Sequence, residues 1–272
     1  MKQLLSREDV NPDQPENKGK TPLSWAALNG HKSVVKQLLD WGGVNPNSPD
    51  DKARTPLSWA AIGGHEAVVK YLLGRSDVSP DMPDNESTTP LSWAAIKGHD
   101  SVVHQLLDRE GVNPDRPDNV GRTPLLWAAA KGHGSVVKQL LDWKDIKPDK
   151  ADDEGRTPLS WAAARGQELV VKQLLRRGDV DPNGSDDEGK TPLLWAATKG
   201  HESVVKQLLD RKDVSLDKPD HEDTTPLAQA ALNGHEAVVK QLSGRKRVNP
   251  DMPENTSHSK RIRLSDEATS GP

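Results

Sequence analysis

The 272-residue chain has no cysteine, no phenylalanine and a single tyrosine. Without a thiol it can form no disulfide, no cysteine-ligated zinc site and no thiol nucleophile. No stretch approaches the run of about 18 apolar residues that a membrane-spanning helix requires. The segment from Met1 to Val10 carries Lys2, Arg7, Glu8 and Asp9 and lacks the apolar centre of a secretory signal. These absences predict an intracellular, cytoplasmic protein with no membrane partner. The Asn-x-Ser matches at Asn85, Asn183 and Asn255 therefore read as chance. Large apolar residues are scarce and 29% of the chain is charged. That is too little apolar substance for one thick core, but it suits a stack of units that each bury a thin slab.

A repeat fills the chain. Thr-Pro-Leu recurs with its threonine at 21, 55, 89, 123, 157, 191 and 225, seven copies in register. A fixed step in the range of about 20–50 residues is the mark of a stacked array. Within each copy Thr123 and its equivalents are natural N-caps, and Pro124 stands at the first helical position, where a missing N–H costs nothing. Leu125, Trp127, Ala128 and Ala129 continue a short helix, which Gly132 ends through a left-handed conformation. A second helix is predicted from Gly134 to Trp143, with Val136, Val137, Leu140 and Leu141 as its apolar stripe and Lys138 and Gln139 outward. Glu66/Lys70, Glu168/Lys172, Glu202/Lys206 and Glu236/Lys240 are i, i+4 pairs on that solvated face. The Pro/Asp/Asn stretch before each threonine, such as 112–122, cannot be helical, which argues against a purely helical-hairpin repeat.

The full frame is Thr-Pro-Leu-x-Trp-Ala-Ala-x-x-Gly-His-x-x-Val-Val-Lys-Gln-Leu-Leu, and it resembles the ankyrin unit over residues 1–254. The resemblance implies an all-α solenoid of seven helix-turn-helix units with long hairpin-like fingers over 21–254. A partial unit (second helix and finger) would precede it over 1–20, and a disordered polar and basic tail would follow over 255–272. Two departures stand out. The family's histidine after Thr-Pro-Leu is replaced by Ser24, Ser58, Ser92, Leu126, Ser160, Leu194 and Ala228, so its hydrogen bond must be absent or supplied otherwise. The step also exceeds the family's period of about 33, with the extra length in the fingers. The Ser-Trp-Ala-Ala and Val-Asn-Pro-Asp wording resembles arrays of filamentous-fungal proteins, including the repeat tails of NACHT-type receptors. Met1 to Leu5 aligns with Val35 to Leu39, so the chain is expected to be a piece of a longer array.

Catalysis and metal binding find little support. His31, His65, His99, His133, His201 and His235 form a ladder with Gln167 as its gap. Its members, one per unit, would lie about 8–10 Å apart, whereas zinc ligands all lie about 2 Å from one ion. The acids Asp13, Asp81, Asp115, Asp149, Asp217 and Asp251 are spread in the same way, and no calcium loop is present, the cluster from Asp152 to Gly155 included. There is no phosphate-binding glycine loop and no serine-nucleophile motif. The reading is therefore a non-enzyme with no cofactor and no metal. The in-phase Trp25, Trp59, Trp93, Trp127, Trp161 and Trp195 are expected to pack between units, while Trp41 and Trp143 are the exposed pair.

Candidate binding positions are those that vary within the fixed frame. In the family, partners contact the finger tips and the exposed end of the first helix. The resemblance thus nominates Arg54, Lys97, Arg122, Lys131, Arg156, Arg165, Lys190 and Lys199, with Glu154 and Glu188 on the rim beside Asp153 and Asp187. A basic floor with an acidic rim suits a partly acidic protein and repels a polyanion such as nucleic acid; the rival reading is that the cations merely balance neighbouring acids. Two function classes follow: a monomeric protein-binding scaffold, free or as the sensor tail of a larger receptor, and a regulatory adaptor. The adaptor reading draws on Arg245-Lys246-Arg247 and Lys260-Arg261-Ile262-Arg263, which resemble a two-part nuclear import signal.

Overall fold

A computed structural model describes residues 11–245. The N-terminal segment Met1 to Leu5, the tail from 255 and the basic clusters beyond Arg245 lie outside the described residues. The described chain holds fourteen helices and no strand. In order they are α1 Pro22–Leu28, α2 Lys32–Asp40, α3 Pro56–Gly63, α4 Glu66–Leu73, α5 Pro90–Lys97, α6 Asp100–Leu107 and α7 Pro124–Lys131. Then follow α8 Gly134–Leu141, α9 Pro158–Ala164, α10 Glu168–Leu175, α11 Pro192–Lys199, α12 Glu202–Leu209, α13 Pro226–Leu232 and α14 Glu236–Ser243. Each pair is one unit. First helices pack on first helices of neighbouring units and second on second, which makes an all-α solenoid. The α8 helix ends at Leu141, short of the predicted Trp143, with Asp142 as its C-cap.

The core is one continuous cluster in which Leu125, Ala128, Ala129, Val136, Val137 and Leu140 and their counterparts are sealed from solvent. All seven threonines cap their helices by accepting the N–H three residues on, as Thr55 does from Ser58 at 3.1 Å. At four caps the serine in the family's histidine position pairs its own hydroxyl with the threonine hydroxyl at 3.0–3.3 Å. Leu126 and Leu194, fully buried, replace that hydrogen bond with packing in two other units.

The histidine ladder ties units together. His65 Nε2–H donates to the Leu28 carbonyl at 2.7 Å, and His99, His133, His201 and His235 reach the Ile62, Ile96, Ala164 and Thr198 carbonyls at 3.0–3.1 Å. Each satisfies an orphan carbonyl at the end of the preceding unit's first helix. The glycine before the ladder is required twice over. Gly98 has φ +73°, and a Cβ there would lie 2.6 Å from the His133 ring.

Fingers are built around an aspartate outside the predicted site residues. Asp186 Oδ1 accepts the N–H groups of Glu188 at 3.1 Å and Lys190 at 2.8 Å, and its own N–H donates to the Lys190 carbonyl. Asp50, Asp84, Asp118, Asp152 and Asp220 repeat the pattern. Successive fingers are joined by a backbone bond, such as Asp153 N–H to the Val120 carbonyl at 3.1 Å and Asp187 N–H to the Glu154 carbonyl at 3.1 Å.

Candidate partner-binding groove

The in-phase tryptophans sit differently from the sequence expectation. Trp59 is buried, but Trp25 is 42% exposed and Trp93, Trp127, Trp161 and Trp195 are half-buried. The reason is helical phase. Leu125, Ala128 and Ala129 fall at i, i+3 and i+4 and form the buried stripe, whereas Trp127 at i+2 lies off it. The indole turns toward the fingers instead. There its N–H finds the second oxygen of the finger aspartate, with Trp93–Asp84 at 3.0 Å, Trp127–Asp118 at 2.9 Å, Trp161–Asp152 at 2.9 Å and Trp195–Asp186 at 2.7 Å. One carboxylate thus folds the finger and anchors the indole of the following helix. The signal for it was an acid nine residues before each tryptophan, in phase.

Cations stack on these indoles. Arg54 lies 4.0 Å from the Trp59 ring centre, Arg122 4.9 Å from Trp127 and 5.5 Å from Trp161, Arg156 4.3 Å from Trp161, and Lys190 5.0 Å from Trp195. From the helix end, Arg165 approaches Trp161 at 4.9 Å and Lys131 approaches Trp127 at 6.0 Å.

The nominated basic residues divide into two rows. Near the finger base, Arg54 grips Asp50 through Nε at 3.1 Å and Nη2 at 2.9 Å. Arg156 does the same to Asp152 at 3.1 and 3.0 Å and also meets Glu154 Oε2 at 2.5 Å. Lys190 pairs with Glu188. Burial pushes the Asp152 carboxyl up, but hydrogen bonds from Trp161 and Arg156 outweigh it and hold the group below the ordinary range. The hydrogen bond that Lys190 donates to Glu188 raises the pKa of its ammonium. Glu154 and Glu188 are thus ion-paired within their own units. Arg122 is the exception in this row: its Nε is buried with no hydrogen-bond partner, 4.0 Å from Asp152 Oδ2.

The helix-end row is different. Lys97, Lys131, Arg165 and Lys199 are all exposed, and none takes part in the ion pairs of the described residues. The equivalent positions in flanking units are Asn29, Gly63 and Asn233, so the row is confined to four central units. Two clefts open beside it. One, of about 410 Å³, lies between Trp93 and Trp127 and includes Ile96, Arg122 and Lys131 in its lining. The other, of about 230 Å³, lies between Trp161 and Trp195 and includes Arg156, Arg165 and Lys199. Trp41 and Trp143, 45% and 36% exposed, stand at the ends of second helices away from this face.

Stacked helix pairs with hydrogen-bonded fingers and a half-buried aromatic face define a helical repeat solenoid. The sequence model of ankyrin repeats matches residues 1–84, 37–118, 91–186 and 159–253. The chain belongs to the ankyrin repeat family, whose arrays generally mediate protein–protein interaction and are typically non-catalytic. Among solved structures it is similar to the human ASB11 ankyrin repeat domain, with 26% identity, a TM-score of 0.72, and coverage of 81% of this chain and 97% of that one. No curated protein matches it in sequence.

Proposed function

We propose that this chain is a non-catalytic scaffold that holds a protein partner on its finger and first-helix face, over the four central units. The supporting observation is the asymmetry between the two basic rows. Arg54, Arg156 and Lys190 near the finger base are engaged by the protein's own carboxylates, while Lys97, Lys131, Arg165 and Lys199 are exposed, have no carboxylate partner among the described residues and stand beside two indole-walled clefts. A monomer in the cytoplasm, acting as the sensor tail of a larger receptor similar to fungal NACHT-type proteins, is the setting this reading favours. Affinity capture with the full chain tests it. A partner retained by the native chain and by Lys138→Glu/Lys172→Glu, on the opposite face, should be lost by Lys131→Glu/Arg165→Glu. Equal retention by both variants would rule the face out.

The adaptor reading rests on the two C-terminal basic clusters. A reporter fused to residues 244–272 should concentrate in the nucleus if they act as an import signal, and a uniform distribution would remove it.

A further inference from the structure

The exposed row and the two clefts carry a common spacing, and the spacing constrains the conformation of the occupant. Lys97, Lys131, Arg165 and Lys199 recur once per unit on packed helices, a separation of about 8–10 Å. An extended β-strand alternates faces with every residue, so carboxylates three apart, at about 10 Å, would point to opposite sides. A polyproline II helix has about three residues per turn and a rise of about 3.1 Å, so every third side chain returns to the same face after about 9 Å. The clefts between Trp93 and Trp127 and between Trp161 and Trp195 are two units apart. That distance corresponds to two turns of the same helix. Indole-lined grooves also suit proline rings, which present a preformed apolar ridge with little conformational entropy to lose.

We propose that the groove recognises an acidic proline-rich segment in the polyproline II conformation, with a carboxylate at every third residue facing Lys97, Lys131, Arg165 and Lys199. Prolines between the acids fill the two indole-walled clefts. The exposed Asp153 and Asp187 stand at the finger tips. They oppose a ligand charged on all sides and accept one whose charge is confined to a single face. Arg122 lines one cleft with a side chain that is partly exposed, and its terminal N–H groups offer donors to the ligand's carbonyls. The inference rests on the reading of this face as the partner site.

The test uses the full chain and fluorescein-labelled synthetic peptides. One peptide is four Glu-Pro-Pro triplets. Its isomer has the same composition with all glutamates grouped at one end. A third replaces glutamate by lysine. The triplet peptide should bind at least about tenfold more tightly than its isomer, and the lysine peptide should not bind. Lys131→Glu/Arg165→Glu should erase the preference, while Lys138→Glu/Lys172→Glu keeps it. Equal binding of the two isomers, no binding of either, or a preference that survives Lys131→Glu/Arg165→Glu would overturn the proposal. The isomer comparison is made on the native chain, so it stands whether or not a variant folds. If captured partners depend on Lys131 and Arg165 but the isomers are not distinguished, only the peptide chemistry fails. If the isomers are distinguished but captured partners ignore these residues, the groove binds this ligand and the reading of the natural partner fails.

Discussion

The side-chain amide of Asn47 donates to the Asp77 carbonyl at 2.6 Å and accepts the Ser79 N–H at 2.8 Å, so one residue staples its finger to the next. Asn183 does the same to Asp213 at 2.6 Å and Ser215 at 2.7 Å. In other units the position holds an acid. Asp149 accepts the Asp181 N–H at 2.7 Å through Oδ2, but its Oδ1 is buried with no partner. An ionised carboxylate cannot donate to the carbonyl that asparagine reaches. Asp149→Asn should therefore stabilise the chain at neutral pH by about 1 kcal/mol, the net worth of one added hydrogen bond. Asp81→Asn should gain less, because Asp81 also holds Arg116 at 3.2 Å. Urea denaturation of the two variants checks the order, and a loss of stability on Asp149→Asn would contradict it.

The same position makes stability depend on pH. Burial pushes the carboxyls of Asp81, Asp115 and Asp149 above their ordinary value. The folded chain then holds these protons more tightly than the unfolded chain. Their contribution is favourable near the ordinary carboxyl value of about 4 and is lost as pH rises through the raised folded values. Asp77, Asp179 and Asp213 have the opposite sign. Hydrogen bonds from Arg75, Arg177 and Arg211 lower them, so their effect is lost only as pH falls below the ordinary value. The advantage of Asp149→Asn over the native chain should accordingly be larger at about pH 7 than at about pH 4.5. A gap independent of pH would show that Asp149 does not titrate in this window.

Much of the architecture is legible in the sequence. The seven threonine caps, the Val-Val and Leu-Leu stripes and the terminating glycines each carry a local cause, and repetition removed the ambiguity of a single helix. The finger aspartates are not singled out by the sequence, because Asp115 and its equivalents recur in phase as well. Spacing alone does not say which of two acids in a loop folds it. Recurrence in phase does not by itself mean burial for the tryptophans; the i+2 offset of Trp127 from Leu125 is the contrary signal. The division of the cations into two rows depends on which acids come within reach across a finger, which no linear pattern shows.

Asp186 illustrates what the overlooked acid does. It is buried and accepts from Glu188 N–H, Lys190 N–H and the Trp195 indole. Asp186→Ala leaves three donors without their acceptor. The cost should be about 2–4 kcal/mol, in line with hydrogen bonds to a charged group. Asp186→Asn should cost less, because its carbonyl oxygen can still accept the two backbone N–H groups. A thermal melt in which alanine and asparagine are equivalent would remove the finger-lock account.

The turn that follows this aspartate needs positive φ. Glycine supplies it at Gly121, Gly155 and Gly189, whereas Ala53 at φ +61°, Ser87 at +61° and Asp223 at +57° hold it in other units, and of these alanine has no side-chain polar group to favour the conformation. Ala53→Gly should stabilise the chain by about 0.5–1 kcal/mol, the strain relieved exceeding the added freedom of the unfolded state. Gly98→Ala should do the reverse and more, since strain and the His133 ring act together. A neutral Gly98→Ala would mean that the ladder histidine yields readily.

The two basic rows give opposite expectations for stability, and this separates binding from balance. Arg156 is stacked on Trp161 and paired with Asp152, whose side chain is 1% exposed. Arg156→Ala takes the paired guanidinium from a buried carboxylate that keeps only its Trp161 and backbone N–H bonds and the more distant Arg122, so it should lower stability by about 2–4 kcal/mol, below the full cost of breaking a completely buried pair. Lys131 and Arg165 are exposed and without a carboxylate partner among the described residues. Lys131→Glu with Arg165→Glu should change stability by less than about 0.5 kcal/mol per site. If the helix-end row only balanced the acids of the rim, reversing it would bring like charges together and the double variant would melt well below the native chain. A native melting curve for that variant, beside a clear loss for Arg156→Ala, would show that the finger-base cations hold the fold together and the helix-end cations do not. What keeps the second row cationic would then have to come from outside the chain.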